Sequence, residues 1–125
     1  MRNLKLFTLF LAISFLTISC SKDEPEPVID KIAPVINITS PVDGAILERG
    51  KTYPLSGTVT DDTELAEISG LGFKITSFDS KTSHVLTGIT IPIATDAPVG
   101  NANITITATD KEGNAGTKTV TFKIQ

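Results

Sequence analysis

The chain is poor in the residues that carry chemistry. Its 125 residues include one cysteine, one histidine, one tyrosine and no tryptophan. Structural zinc needs four ligands and catalytic zinc three, so Cys20 and His84 alone exclude both. A disulfide framework needs paired cysteines and is excluded too. No glycine-rich loop follows an apolar run, which removes a phosphate cradle. Arg49 and Lys51 are merely neighbours, and no longer cluster of Lys and Arg occurs. Binding to nucleic acid or to anionic lipid surfaces depends on such clusters, so no nucleic-acid partner is expected. His84 lies in "DSKTSH" beside Asp79, Ser80 and Ser83, but triad members come from separate elements. It reads as a solvated loop residue. Beyond the first eighteen residues the aromatics are Tyr53, Phe73, Phe78 and Phe122, too few for an aromatic sugar platform. These absences point to a non-enzymatic chain without a tightly held cofactor.

What is present starts with an abrupt contrast. Arg2 and Lys5 precede an apolar run from Leu6 to Ile18, and Lys22-Asp23-Glu24 follow it. A short basic region, an apolar core and small residues describe a secretory signal. The alternative, a spanning helix, needs about 20 apolar residues, and the run stops short of that. Leu16-Thr17-Ile18-Ser19 before Cys20 resemble a bacterial lipobox, with Thr17 where Leu is usual. The resemblance implies a thioether from Cys20 to diacylglycerol and an acylated (palmitate-type) amine. Stable anchoring takes two acyl chains. The rival, an ordinary signal peptidase cutting before Cys20, leaves an unpaired thiol that needs another explanation.

The following "CSKDEPEP" resembles the short acidic export tag of surface lipoproteins in some Gram-negative bacteria, matched by Lys22, Asp23 and Glu24. The same residues also read as a solvated linker, because Glu and Pro build no core. The expected organisation is a lipoprotein signal peptide over 1–19, a lipidated Cys and acidic, Pro-containing linker over 20–33, and one domain over 34–125. The expected location is the outer membrane, lipid-anchored and exposed on the cell surface. Without Arg2 and Lys5 the chain keeps 9 basic and 14 acidic residues, a net charge of −5.

From Pro34 onward the pattern has a period of two, which marks strands with one buried face. In "NITITATD" Ile104, Ile106 and Ala108 alternate with Thr105, Thr107 and Thr109. In "KTVTFKI" Val120, Phe122 and Ile124 alternate with Thr119, Thr121 and Lys123. "DKEGNAG" between them carries Gly113 and Asn114, residues that tolerate positive φ, and predicts a hairpin. "TYPLSGTVTD" alternates Tyr53, Leu55, Gly57 and Val59, and "GFKITSF" gives Phe73, Ile75 and Phe78 less cleanly. "HVLTGITIPI" predicts two short strands, and "PVINIT" with "AILERG" a split first strand. "DDTELAEISG" holds at most one helical turn. About seven short strands with regular turn signals define an antiparallel sandwich. Val59, Ile106 and Val120 are predicted to be fully buried.

The stretches "PVINITSPVDGAILERGKTYPLSGTVTDDTELAEI" and "NITITATDKEGNAGTKTVTFKI" resemble bacterial Ig-like domains of the cadherin or fibronectin type III style. The matching marks are the Ser40-Pro41…Asp43-Gly44 turn, "SGTVTDD" and the closing "TDKEGN" hairpin, although a core Trp and an inter-sheet disulfide are missing. The resemblance implies an Ig-like β-sandwich with an interaction, adhesion or spacing role toward a protein or glycan. The alternative is an accessory subunit of an outer-membrane transport or assembly complex. Asn37 and Asn103 each open an Asn-Ile-Thr sequence and read as strand residues facing water.

Two readings of the acidic turns remain. Asp110, Glu112 and Asn114 alternate as at the start of an EF-hand loop, but Ala115 and Thr121 stand where that loop needs Gly and Glu. In an Ig-like topology the loops after the second and sixth strands meet beside the start of the first. That end collects Asp61, Asp62, Glu64, Asp110, Glu112 and linker Asp30. Carboxylates so gathered repel one another unless a cation intervenes, and cadherin-like domains place calcium in such a constellation. The simpler reading is that Asp and Asn cap local backbone in turns. Asp61, Asp62, Asp110, Glu112 and Asn114 are thus calcium-ligand candidates and turn-formers at once.

Overall fold

The computed structural model describes residues 24–125. It forms eight strands: β1 (Val35–Ser40), β2 (Ala45–Leu47), β3 (Thr52–Thr60), β4 (Leu65–Gly70), β5 (Phe73–Ile75), β6 (Ser83–Pro92), β7 (Gly100–Asp110) and β8 (Ala115–Ile124). They make two sheets, a three-stranded one in the order β1-β3-β6 and a five-stranded one in the order β2-β8-β7-β4-β5. The chain is therefore an all-β, Ig-like sandwich, with no helix among the described residues.

The split first strand changes sheets. β1 pairs antiparallel with β3, and β2 pairs with β8 through Ala45↔Phe122, Ile46↔Lys123 and Leu47↔Ile124. This second ladder is parallel, a departure from the purely antiparallel expectation. The Asp43-Gly44 turn carries the crossing: Thr121 N–H donates to Asp43 Oδ1 (2.9 Å), and Gly44 N–H donates to the Thr121 carbonyl (2.7 Å).

Two further departures share one cause. "DDTELAEISG" is no helical turn, because Leu65–Gly70 forms β4. Leu65 and Ile68 are both buried although they lie three residues apart, and the register against β7 shifts between Leu65 and Glu67. A β-bulge adds one unpaired residue and turns an i, i+2 spacing into i, i+3, which mimics a helix. The two short strands expected in "HVLTGITIPI" are likewise one strand, β6. Leu86 faces Gly57 and Ile89 faces Leu55, so two residues of β6 oppose Ser56 alone. Gly88 supplies the positive φ of 72° at that bulge.

The core lies between the sheets. Leu55, Val59, Leu86 and Ile91 come from one side; Ile68, Ile104, Ile106, Ala108, Val120 and Phe122 come from the other. Val59 and Ile106 are fully enclosed and Val120 nearly so, as their mid-strand positions predict. Each such side chain contributes about 1.5–3 kcal/mol over leaving it in water. Phe73, Ile75 and Phe78 pack against the core as partly buried residues. The β7–β8 hairpin forms as expected, closed by Asp110 N–H to the Asn114 carbonyl (3.1 Å), with Gly113 at φ 92°.

Candidate functional site

Strand direction decides what meets at the linker end of the sandwich. β3 and β7 end there, and β1, β4, β6 and β8 begin there. The linker enters beside them and is held by contacts of its own. The Asn114 side-chain amide donates to the Asp30 carbonyl (3.1 Å), and the Thr63 hydroxyl donates to Asp30 Oδ2 (2.7 Å). Pro34 then passes over β8 at Gly116, where an added Cβ would lie 1.9 Å from the Pro34 carbonyl oxygen. Only glycine admits the chain so closely.

Asp30 is the pivot of the acidic residues. One carboxylate oxygen each from Asp30, Asp110 and Glu112 can be found within 4.8 Å of one another, and the same holds for Asp30, Asp61 and Asp62. Glu64 stands apart. Its carboxylate pairs with Lys81 (3.5 Å), and its carbonyl accepts the Lys111 N–H (2.9 Å). These groups rim a separate open hollow that Phe78 and Leu65 floor.

Asp110 is 3 % exposed, the one buried charged residue among those described. Its Oδ1 accepts the Asn114 N–H (2.7 Å), and its Oδ2 accepts the Asn114 side-chain amide. Burial pushes its carboxyl up. Hydrogen bonds from Asn114 side chain and backbone, and from the Gly113 and Glu112 backbone, outweigh that and hold it below the ordinary Asp value. Asn114 is thus a clamp, joining the turn to the linker through its amide nitrogen. Asp61 Oδ2 accepts the Thr63 N–H (3.1 Å), a local cap. Asp61 Oδ1 is buried and has no hydrogen-bond partner.

The neighbourhood of His84 differs from expectation. His84 is the second residue of β6, its side chain 16 % exposed and its ring edge-on to Phe78 at 5.7 Å. It is not a solvated loop residue, because the β5–β6 connection folds Phe78 over it. Nδ1 lies 3.2 Å from Asp79 Oδ2 but off the hydrogen-bond direction, and that oxygen accepts the Val85 N–H (2.7 Å). The Ser80 and Ser83 hydroxyls bond to each other at 2.8 Å. That pairing does not aim a nucleophile at the imidazole.

Cys20, Lys22 and Asp23 lie outside the described residues, and Glu24 is exposed. Sequence reasoning missed Thr63, whose hydroxyl links Asp30 to the loop after β3. The Asp61-x-Thr63 spacing, typical of a side-chain cap, was the available signal.

No family of known proteins matches the chain, and no curated protein does. Solved structures do. The fibronectin(III)-like modules of CbhA from Clostridium thermocellum are similar at 22 % identity and TM-score 0.51, over 73 % of this chain and 46 % of that one. The SrpA adhesin of Streptococcus sanguinis is similar at 18 % identity and TM-score 0.53, over 77 % and 58 %. The GspB Siglec domain is similar at 14 % identity and TM-score 0.54, over 77 % and 59 %. The chain spans roughly half to three fifths of the chains it matches. At these identities the likeness concerns the fold.

Proposed function

We propose that this chain is a non-enzymatic, lipid-anchored module of the outer membrane that presents its sandwich for interaction, adhesion or spacing. The observation that carries the reading is the Ig-like fold itself, shared with adhesin and fibronectin-type modules and preceded in sequence by a lipobox-like Cys20 and an acidic linker. The contacts that hold Asp30 and Pro34 favour a stem with a set direction over a free tether. Cys20→Ala in the full chain tests the anchor. The wild type is expected in the detergent phase on phase partitioning and the variant in the aqueous phase. A wild type already aqueous, with an unmodified thiol by mass spectrometry, overturns the lipid reading.

A second feature of the same reading is calcium at the linker end, favoured by the convergence of Asp30, Asp61, Asp62, Asp110 and Glu112 and by the unpartnered Asp61 Oδ1. Bound there, calcium would join the loops to the stem by oxygen ligands. A ligand taken only by the folded state stabilises it by about 2.7 kcal/mol at 100 times its dissociation constant. Thermal unfolding in EDTA and in millimolar calcium reads this directly. A raised midpoint in calcium is expected, and an unchanged one leaves the acidic residues as turn-formers.

A further inference from the structure

Charge is distributed unevenly over the two sheets. The chain is 20 % charged, yet β1, β3 and β6 contain no Asp, Glu, Lys or Arg at all. Their one histidine, His84, pairs with Val59 and sits on the inner side. The outer face of the three-stranded sheet is therefore uncharged along its strands. Asp61 and Asp62 lie beside Val35 and Thr60 at one end, and Asp79 lies at the β6 edge, where it accepts the Val85 N–H. Along its centre, Asn37, Thr58 and Val85 form one cross-strand row and Val35 and Thr60 share another. Val35 is 64 % and Val85 50 % exposed. Soluble surfaces ordinarily intersperse charges of both signs, and the cores of interfaces are depleted of them.

We infer that this face is a self-association surface, whose partner is the same face on a second copy of this chain. This deepens the interaction reading above and rests on it. Charge selects the partner. Every charged side chain among the described residues lies on the other sheet, in the loops or in the linker. Burying any of those against a partner costs desolvation. Two copies meeting across the middle of the three-stranded sheet, around Thr58, leave Asp61, Asp62 and Asp79 at the rim and bury no charge. A two-fold axis near Thr58 on the central strand makes the contact self-complementary, with the sheets packed face to face about 10 Å apart.

Size sets the strength. The three strands hold 6, 9 and 10 residues; at about 3.3 Å per residue and about 4.8 Å apart they span about 400 Å². Two such faces bury about 800 Å², short of the roughly 1,000 Å² that a stable specific interface clears and in the range of weak, transient contacts. The dimer is therefore reversible and concentration-dependent, and it gains from any arrangement that holds copies near each other.

Sedimentation velocity on residues 24–125, which hold the whole core, tests this from micromolar to millimolar protein. Wild type is expected to shift from monomer to dimer. Thr58→Lys should weaken dimerisation at least tenfold, and Thr119→Lys, at the matching place on the other sheet, should leave it unchanged. Both variants should stay cooperatively folded, with midpoints within a few degrees of wild type, Thr119→Lys losing only its hydroxyl contact with Thr105. Because Cys20 is absent from this fragment, Thr58→Cys and Thr119→Cys each carry a single thiol. Thr58→Cys should oxidise to a covalent dimer many times faster. A monomer at every concentration, or equal effects at positions 58 and 119, overturns the proposal. A monomer whose Asn37, Thr58 and Val85 amide signals move with added maltohexaose also overturns it, in favour of a neutral glycan, and leaves the broader interaction reading standing.

Discussion

The two sheets bury the same kind of residue and expose different kinds. Leu55, Val59 and Leu86 on one inner face meet Ile68, Ile106 and Val120 on the other, all enclosed. Outside, the five-stranded sheet carries Glu67, paired with Lys74 at 2.8 Å, together with Lys123. The three-stranded sheet carries no charge. Folding constrains the inner faces, because a one-residue slip would turn every buried side chain into water. Outer faces are free of that demand, and their composition is where a difference in role leaves its mark.

If the inner faces are equivalent, truncation should cost the same on either sheet. Leu86→Ala and Ile106→Ala are each expected to destabilise by about 2–5 kcal/mol, read by urea unfolding. A small cost at Leu86 alone would break the equivalence and make the three-stranded sheet a loose cover. On the outer face, Thr105→Ala should cost well under half as much, since it removes only the hydroxyl contact with Thr119 (2.9 Å). Equal costs at Thr105 and Ile106 would show the face assignment to be wrong.

The smallest effect separates the sheets by acid. β1, β3 and β6 hold no carboxylate, whereas β7 ends on Asp110, whose pKa is held below its ordinary value. A depressed folded-state pKa contributes stability that is complete above the unfolded Asp value of about 3.9 and is lost as pH falls through the folded one. The wild-type midpoint should therefore drop as pH is lowered through and below the ordinary Asp range. Asp110→Asn, with no proton to gain, should lessen that drop. A variant with the wild-type acid profile would remove Asp110 from the acid response.

Regular strands were readable from sequence and irregular ones were not. Leu55, Val59, Ile106 and Val120 announced their sides because β3, β7 and β8 alternate without interruption at those positions. β4 was hidden by the bulge between Leu65 and Glu67, and the unity of β6 by the bulge at Gly88. An extra residue shifts the phase, so periodicity fails where the ladder bends. That Asp61, Asp62, Asp110 and Glu112 share one end of the sandwich was legible because topology fixes which loops meet there; that each pair gathers around Asp30 and not with the other pair was not. The clamp role of Asn114 and the shelter of His84 under Phe78 were not, because both depend on where a side chain turns after the backbone is in place. The absence of charge from three non-contiguous segments was visible in the letters, but only the pairing of β1, β3 and β6 makes it one surface.

The parallel pairing of β2 with β8 has a mechanical side. The linker enters at one end of the sandwich and Gln125 stands at the other. A pull on these two points draws β2 toward the first end and β8 toward the second. Hydrogen bonds that join Leu47 and Arg49 to Gln125 (3.0 Å each), with the short β2–β8 ladder behind them, then bear the tension together, in shear. A hairpin pulled from its open end would instead lose its bonds singly, in sequence. The sheet switch at Asp43-Gly44, which places three residues of the first strand beside the last, makes the sandwich a link that resists stretching along its own length.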